Sequence, residues 1–175
     1  KAIEIIDAAA EAGVDAVKLQ TFKPEEHTID CDNDYFQVKV NDAWKGDTLY
    51  SLYKKVYTPW EWQPKLIKYA KSKGLICFSS PGHPSAVDFL QKLNVPAYKV
   101  ASFEIVDPEL MVRLGKTKKP VILSRGMASI ADISFAVKTL RKAGCPRIIV
   151  LHCVSSYPAK LEQMNLRTIP DIAKR

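Results

Sequence analysis

The sequence lacks the features that mark membrane proteins, disulfide-rich secreted domains and dinucleotide-binding folds. Its longest apolar runs have the length of a single strand, which is too short to span a bilayer. The four cysteines form no C-x-x-C pair and have no histidine at metal-binding spacing. No G-x-G-x-x-G motif or other glycine-rich phosphate loop is present. We therefore expect a globular protein of a reducing, cytoplasmic compartment, without disulfides and without membrane contact.

Basic residues outnumber acidic ones by 26 to 19, which gives the 175-residue chain a net charge of +7. Such an excess favours an anionic ligand and is also compatible with nucleic acid. The lysines are scattered over helical segments rather than gathered in one stripe, so we expect no nucleic-acid partner. The start of the chain is charged and amphipathic and lacks the apolar segment of a signal peptide.

Four apolar segments recur at regular spacing and predict parallel strands. They begin near residues 75, 97, 121 and 148, and a helical segment follows each of them, as in repeated βα units. A further strand is predicted at residues 16–20, which makes about five in all. The runs are continuously apolar, as in sheets that are buried on both faces. The sequence therefore predicts a parallel α/β fold, and a barrel and an open sheet both fit its period.

Polar residues at the predicted strand ends favour the barrel. Each of five side chains falls at the carboxyl end of a different strand: Gln20, Ser80, Ser102, Ser124 and Ser155. That rim carries the active site of TIM-type (β/α) barrels, whereas an open sheet concentrates its site at one crevice. We predict a TIM-type barrel that residues 1–175 represent only in part, with about five of eight strands. Residues 23–57 are expected to form a long excursion from it.

The predicted strand at residues 97–101 carries a lysine among apolar residues. Burying Lys99 is costly unless an anion or a carboxylate meets it. Ser102 and Glu104 lie two residues apart, so an extended chain would point both in the same direction. These groups fit the floor of a site for a small anion. The alternative is a lysine that extends out of an edge strand beside a solvated glutamate.

The first strand repeats this arrangement of polar groups. Lys18 and Gln20 project to one side of it, and we interpret them as ligand groups at the mouth of a barrel rather than as a solvated face. His27 and His83 are expected on the surface of loops. His152, near the end of the last strand, is expected to be a core histidine rather than a ligand.

Five motifs follow one another along nearly the whole chain: Asp15-Ala-Val-Lys18-Leu-Gln20-Thr21, Phe78-Ser-Ser80-Pro81, Ala97-Tyr-Lys99-Val-Ala-Ser102-Phe-Glu104-Ile105, Gly126-Met127-Ala128 and Cys153-Val-Ser155-Ser-Tyr157-Pro158-Ala159. Together they resemble the sialic acid synthase family. The resemblance implies a barrel enzyme that condenses phosphoenolpyruvate with an N-acetylated amino sugar to a nine-carbon sialic-type acid, with release of phosphate. It also implies a homodimer and a divalent metal, manganese or magnesium, whose ligands are expected outside this segment.

The resemblance also assigns roles to residues. Six fall where the family holds phosphoenolpyruvate: Lys18, Ser80, Lys99, Ser102, Ser124 and Ser155. Three fall where it meets the sugar: Gln20, Glu104 and Tyr157. Glu104 and Lys99 are the expected catalytic residues, Glu104 because it is placed to handle a proton or hold the sugar.

Three questions stay open at the level of sequence. Arg125 departs from the family pattern, and it either adds affinity for phosphate or points outward. The stereochemistry of the sugar is not determined. A rival interpretation of another class is a non-catalytic fragment that binds only an anion or another subunit.

Overall fold

The computed structural model describes residues 1–39, 44–156 and 158–174. Helices and strands alternate along these residues in the order α1 (Ala2–Glu11), β1 (Ala16–Thr21), α2 (Pro24–His27), α3 (Leu49–Val56), α4 (Gln63–Ser72), β2 (Ile76–Pro81), α5 (Pro84–Lys92), β3 (Tyr98–Val100), α6 (Pro108–Lys116), β4 (Val121–Ser124), α7 (Ile130–Lys142), β5 (Ile148–Leu151) and α8 (Thr168–Ala173). Short 3₁₀ turns occur at Trp60–Trp62, Glu104–Val106 and Leu161–Gln163. Within the described ranges, no helix has both the length and the apolar character needed to cross a membrane.

The five strands form one parallel sheet in the order β1-β2-β3-β4-β5. Each strand lies beside the next strand of the chain, and the order never reverses. A doubly wound open sheet needs such a reversal to form its ligand crevice, whereas a β/α barrel winds in one direction. The sequential order therefore confirms the predicted TIM-type architecture, of which these residues contribute five strands.

One face of the sheet packs against the helices. Cys77, Tyr98 and Leu123 project from three different strands into the hydrophobic core, and all three are fully buried. Helices α4 to α7 complete this core with side chains such as Leu90 and Leu140. Burial of apolar surface on this side stabilises the sheet and fixes which residues point to the other side.

The opposite face, which we call the site face, carries the polar groups that the sequence singled out. The strand register aligns Gln20 with Ser80 and Lys99 with Ile122, two residues before Ser124. Because side chains alternate along a strand, five predicted site residues share this face: Lys18, Gln20, Ser80, Lys99 and Ser124.

Part of the site face is exposed in the described residues, as expected for five strands of a larger barrel. Ile76 and Ile149 lie on the site face and are 55% and 51% exposed. Both would lie inside a closed barrel, where such residues are packed.

Several predicted boundaries hold and others move. Asp107 and Ser129 cap α6 and α7, each by accepting a hydrogen bond from a backbone N–H three residues on. The segment Thr58-Pro59-Trp60-Glu61 has the sequence pattern of a capped helix start, but a 3₁₀ turn forms there and α4 begins only at Gln63. Strand β5 also ends earlier than predicted, so His152 lies beyond it.

A buried chain of hydrogen bonds joins α4 to the first two strands. Thr21 Oγ1 donates to Gln63 Oε1 over 2.7 Å and lies 2.6 Å from Ser79 Oγ. A threonine hydroxyl has one proton, so Ser79 must be the donor in the second bond. All three side chains are fully buried. Because Gln20 and Ser80 are their neighbours in sequence, this chain of bonds fixes the two strands at the end where the site face is polar.

We expect the Thr21→Val substitution to lower the free energy of unfolding by about 1–3 kcal/mol, because it leaves two buried polar groups unpaired at nearly constant volume. Urea denaturation of the intact protein that carries these residues measures this loss. The double variant with Gln63→Leu should lose less than the sum of the two single losses. Strict additivity would contradict a shared network.

Candidate active site at the carboxyl ends of the strands

Lys99 connects three neighbouring strands. Its ammonium group donates hydrogen bonds to the carbonyl of Val100, at 2.9 Å, and to the hydroxyl of Ser124 at the end of β4. Ser80, near the end of β2, donates to the carbonyl oxygen of Lys99 at 3.0 Å. Cys153 contacts Ser124 in turn, with 3.2 Å between the sulfur and Oγ. The structure therefore brings together three residues that the sequence assigned to one anion site.

The electrostatics of this cluster depend on a second lysine. Burial lowers the pKa of Lys99, and the charge of Lys18 lowers it further, while Cys153 and Glu104 act in the opposite direction. Burial also lowers the pKa of Lys18, although much of its side-chain surface stays exposed. The two ammonium groups thus lie close enough to repel each other. In the described part of the chain, neither forms a hydrogen bond with a carboxylate, so an anion between them would relieve this repulsion.

Ser102 and Ser155 meet at Gly126. This glycine has a positive φ of 43°, and a Cβ atom there would lie 2.9 Å from the hydroxyl of Ser155. The same atom would collide with the side chain of Ser102. The loops after β3, β4 and β5 therefore converge on a backbone with no side chain, and two hydroxyl groups lie beside it.

Beside the lysines lies an acidic cavity of about 420 Å³. Seven residues line it: Glu26, His27, Tyr53, Gly82, Phe103, Glu104 and Asp107. Glu104 has its Oε1 atom 4.0 Å from Nε2 of His27. Oε2 of Glu104 and Oε2 of Glu26 are both buried, and neither has a hydrogen-bond partner within the described residues. Two unpaired acceptors of this kind suit a ligand that carries several O–H or N–H donors.

His27 is a site residue that the sequence analysis missed. The prediction of a surface position is wrong, because only 17% of the side chain is exposed. Its ring stacks on Phe22 with 4.6 Å between the ring centres and meets the edge of Tyr53 at 5.2 Å. A usable signal was the proline at position 24, which starts a short helix directly after β1 and turns His27 back over the strand ends. His83, by contrast, is 46% exposed and caps α5.

Arg125 and His152 bind each other and backbone carbonyls after β4 and β5. Arg125 donates through Nε to Nδ1 of His152 at 3.3 Å and through a second nitrogen to the carbonyl of Ala128. Since Nδ1 accepts, Nε2 of His152 carries the proton and donates to the carbonyl of Met164 at 2.7 Å. Both nitrogens of the ring are therefore engaged by the protein, although His152 is half-buried and lies beyond β5 rather than in the core.

Gln20, a predicted sugar-binding residue, stands apart from these contacts. Gln20 is exposed on the site face, two residues beyond Lys18 on β1. Tyr157 lies outside the described residues.

The described residues do not fit a metal ion. Residues 1–39, 44–156 and 158–174 contain no group of three or more His, Cys, Asp or Glu side chains that could hold one. No catalytic step is therefore assigned to a metal ligand in these residues.

Known proteins resemble this chain in sequence and in fold. The chain is 41% identical over 163 residues to the pseudaminic acid synthase of Helicobacter pylori, covering 93% of this chain and 48% of that protein. It is 30% identical over 174 residues to the N,N'-diacetyllegionaminic acid synthase of Legionella pneumophila, covering 97% and 49%. The chain thus spans about half the length of these curated relatives.

A solved structure extends the likeness to the fold. The crystal structure of the N-acetylneuraminic acid (sialic acid) synthetase from Leptospira borgpetersenii, in complex with citrate, matches with a TM-score of 0.83 at 29% identity. That match covers 99% of this chain and 56% of the other. The sequence profile described as the NeuB family matches residues 5–175. The chain belongs to the NeuB family of sialic-acid-type synthases.

Proposed function

We propose that this chain contributes the phosphoenolpyruvate site, and part of the sugar site, of a synthase that makes a nine-carbon sialic-type acid with release of phosphate. The observation that carries the proposal is the convergence of Lys18 and Lys99 on the site face. Phosphoenolpyruvate has a phosphate and a carboxylate, and two ammonium groups are suited to neutralise and orient both. The neighbouring hydroxyl groups supply further hydrogen-bond donors, namely those of Ser80, Ser102, Ser124 and Ser155.

The proposed chemistry joins C3 of phosphoenolpyruvate to the aldehyde carbon of the sugar. As this bond forms, negative charge develops on the aldehyde oxygen and positive charge on C2 of phosphoenolpyruvate. Water then adds at C2, and phosphate leaves with the bridging oxygen. In this scheme Lys99 and Lys18 hold the anion in position for attack. Glu104 handles a proton or accepts hydrogen bonds from the sugar, with Gln20 and Tyr157 as further sugar contacts.

We propose a pseudaminic-type product because sequence identity is higher to the pseudaminic acid synthase than to the legionaminic acid synthase, at 41% against 30%. N-acetylneuraminate and legionaminate are the alternative products. The family resemblance supports three further proposals for the intact protein. It acts in the cytoplasm, forms a homodimer and uses manganese or magnesium held by residues other than those described.

The test is an assay of the intact protein that carries residues 1–175. It contains phosphoenolpyruvate, a divalent metal and, in turn, the N-acetylated sugar precursor of pseudaminic acid, of legionaminic acid or of N-acetylneuraminate. We expect phosphate release only when all three components are present, together with a product of the mass of the condensed acid. The preferred sugar then identifies the product. Failure to release phosphate with any of the sugars would favour the alternative, a fragment that binds only an anion or another subunit.

Substitution of Lys99 by Met should separate stability from binding. We expect the free energy of unfolding to stay within about 1 kcal/mol of the parent's, because the loss of the hydrogen bonds to Val100 and Ser124 offsets the relief of burying a cation. Affinity for phosphoenolpyruvate should fall at least tenfold in the same variant, measured by calorimetry. The control is Lys68→Met on the exposed side of α4, which should change neither quantity. A destabilised Lys99→Met variant with unchanged affinity would contradict the proposed role.

The lowered pKa values of Lys18 and Lys99 predict how anion binding depends on pH. Both groups lose their charge at a lower pH than ordinary lysines, for which the pKa is about 10.4. The rise in melting temperature that phosphoenolpyruvate causes should therefore shrink as the pH rises toward about 10.4, at pH values where ordinary lysines remain charged. Differential scanning fluorimetry at constant ionic strength measures this effect. A ligand-induced rise that stays constant over this range would contradict the role of the two lysines.

A further inference from the structure

His27 is the group of the acidic cavity to which the proposed chemistry gives no role. It ends α2, the four-residue helix that follows β1, and it is packed from three sides. Phe22 stacks on one face of the ring, and Tyr53 contacts it edge-on. On the third side lies Gly82, where a Cβ atom would lie only 2.7 Å from Cε1 of His27 and 3.0 Å from Cβ of Phe22. The loop after β2 therefore has room for this ring only because residue 82 has no side chain.

This packing holds the imidazole close to Glu104, just beyond hydrogen-bond distance. Nε2 of His27 lies 4.0 Å from Oε1 of Glu104, and the two side chains are 17% and 16% exposed. Among the described residues, His27 is the one basic group within that distance of the Glu104 carboxylate. The other carboxylate oxygen, Oε2, is buried without a donor, so it stays available to a ligand in the cavity.

The second carboxylate of the cavity is engaged elsewhere. Glu26 accepts a hydrogen bond from Ser85 at 2.7 Å, and it lies 4.0 Å from the ammonium of Lys23 and 3.8 Å from the ring of His83. The Glu26 carboxylate is therefore less available than that of Glu104 to a ligand in the cavity. Four groups around the cavity can influence the charge of His27 directly: Glu26, Tyr53, Glu104 and Asp107. Lys23 and His83 act on it only through Glu26.

Burial sets the resting charge of His27. It lowers the pKa of the imidazole below its usual value near 6.5, and the charges of Glu104 and Glu26 oppose this in part. At neutral pH the ring is therefore uncharged, and one ring nitrogen carries a proton that it can donate. When the pH falls through the lowered pKa, the ring becomes an imidazolium between two carboxylates.

We propose that His27 is a positioning residue for Glu104: the neutral ring orients the carboxylate toward the sugar, and the protonated ring draws it into an ion pair that weakens sugar binding. This inference rests on the proposed function, in which Glu104 meets the sugar. The mechanism is electrostatic. An imidazolium occupies Oε1 and makes the remaining oxygen a weaker acceptor for the hydroxyl and amide groups of the sugar.

Two variants of the intact protein separate this role from mere packing. His27→Phe keeps a ring that stacks on Phe22 but removes the donor, and we expect the KM for the sugar to rise about tenfold at neutral pH. His27→Gln keeps a neutral N–H donor that cannot titrate, so its sugar KM should stay within about threefold of the parent's. In the parent, the KM for the sugar should increase as the pH falls below about 6.5, and in His27→Gln this increase should disappear. The KM for phosphoenolpyruvate should stay close to that of the parent in both variants.

His83→Gln is the matched control. His83 acts on His27 only through Glu26 and is 46% exposed, so its removal should change the acidic increase in sugar KM far less than the removal of His27 does. A His27→Phe variant with the parent's sugar KM would overturn the proposal, and so would a His27→Gln variant that retains the acidic increase.

A measurement independent of turnover tests the same coupling. In the intact protein, the NMR resonance of the His27 ring is assigned by its loss in His27→Gln, and its titration gives the pKa directly. The Glu104→Gln substitution removes a negative charge, so the pKa of His27 should fall. An unchanged His27 titration in Glu104→Gln would overturn the proposal even if no sugar is turned over. Absence of phosphate release in the parent would instead count against the proposed function, and the titration would still decide whether the two groups are coupled.

Discussion

The cost of burying two lysine side chains on one face of the sheet is the constraint that shapes the proposed site. Lys18 and Lys99 lie on different strands of the site face, and burial lowers the pKa of both. Neither has a carboxylate at hydrogen-bond distance within the described residues, although Glu104 lies near enough to Lys99 to favour its charge. Such an arrangement is unfavourable in the empty site and becomes favourable when an anion with two negative groups binds. We infer that this arrangement lowers the stability of the folded protein and in return strengthens anion binding.

The fold supplies the rigidity that this arrangement needs. Because the strands are parallel and sequential, all five carboxyl ends lie along one edge of the sheet. The hydrophobic core on the helix side fixes the register, and the buried hydrogen bonds of Thr21, Gln63 and Ser79 fix β1 and β2 against α4. Gly126 and Gly82 then admit neighbouring side chains where a Cβ atom would collide with them. The core, the buried hydrogen bonds and the two glycines thus determine the orientation of the polar side chains, not their chemistry.

The sequence was informative wherever local periodicity determines structure. The spacing of apolar segments predicted the parallel strands, and the alternation along β1 placed Lys18 and Gln20 on one side, as the register confirms. It was less informative where tertiary contacts decide. His27 looks like a loop residue until Phe22, Tyr53 and Gly82 surround it, and nothing in the local pattern shows that Arg125 binds His152. The roles of Ser102, Ser155 and the other assigned residues in holding substrate stay predictions from the family resemblance.

The central claim is that Lys18 and Lys99 neutralise one and the same three-carbon acid. A crystal structure of the intact protein with bound phosphoenolpyruvate tests it most directly. We expect both Nζ atoms to lie within about 3 Å of oxygen atoms of a single phosphoenolpyruvate molecule on the site face. Phosphoenolpyruvate bound away from this face, or in contact with only one of the two lysines, would contradict it.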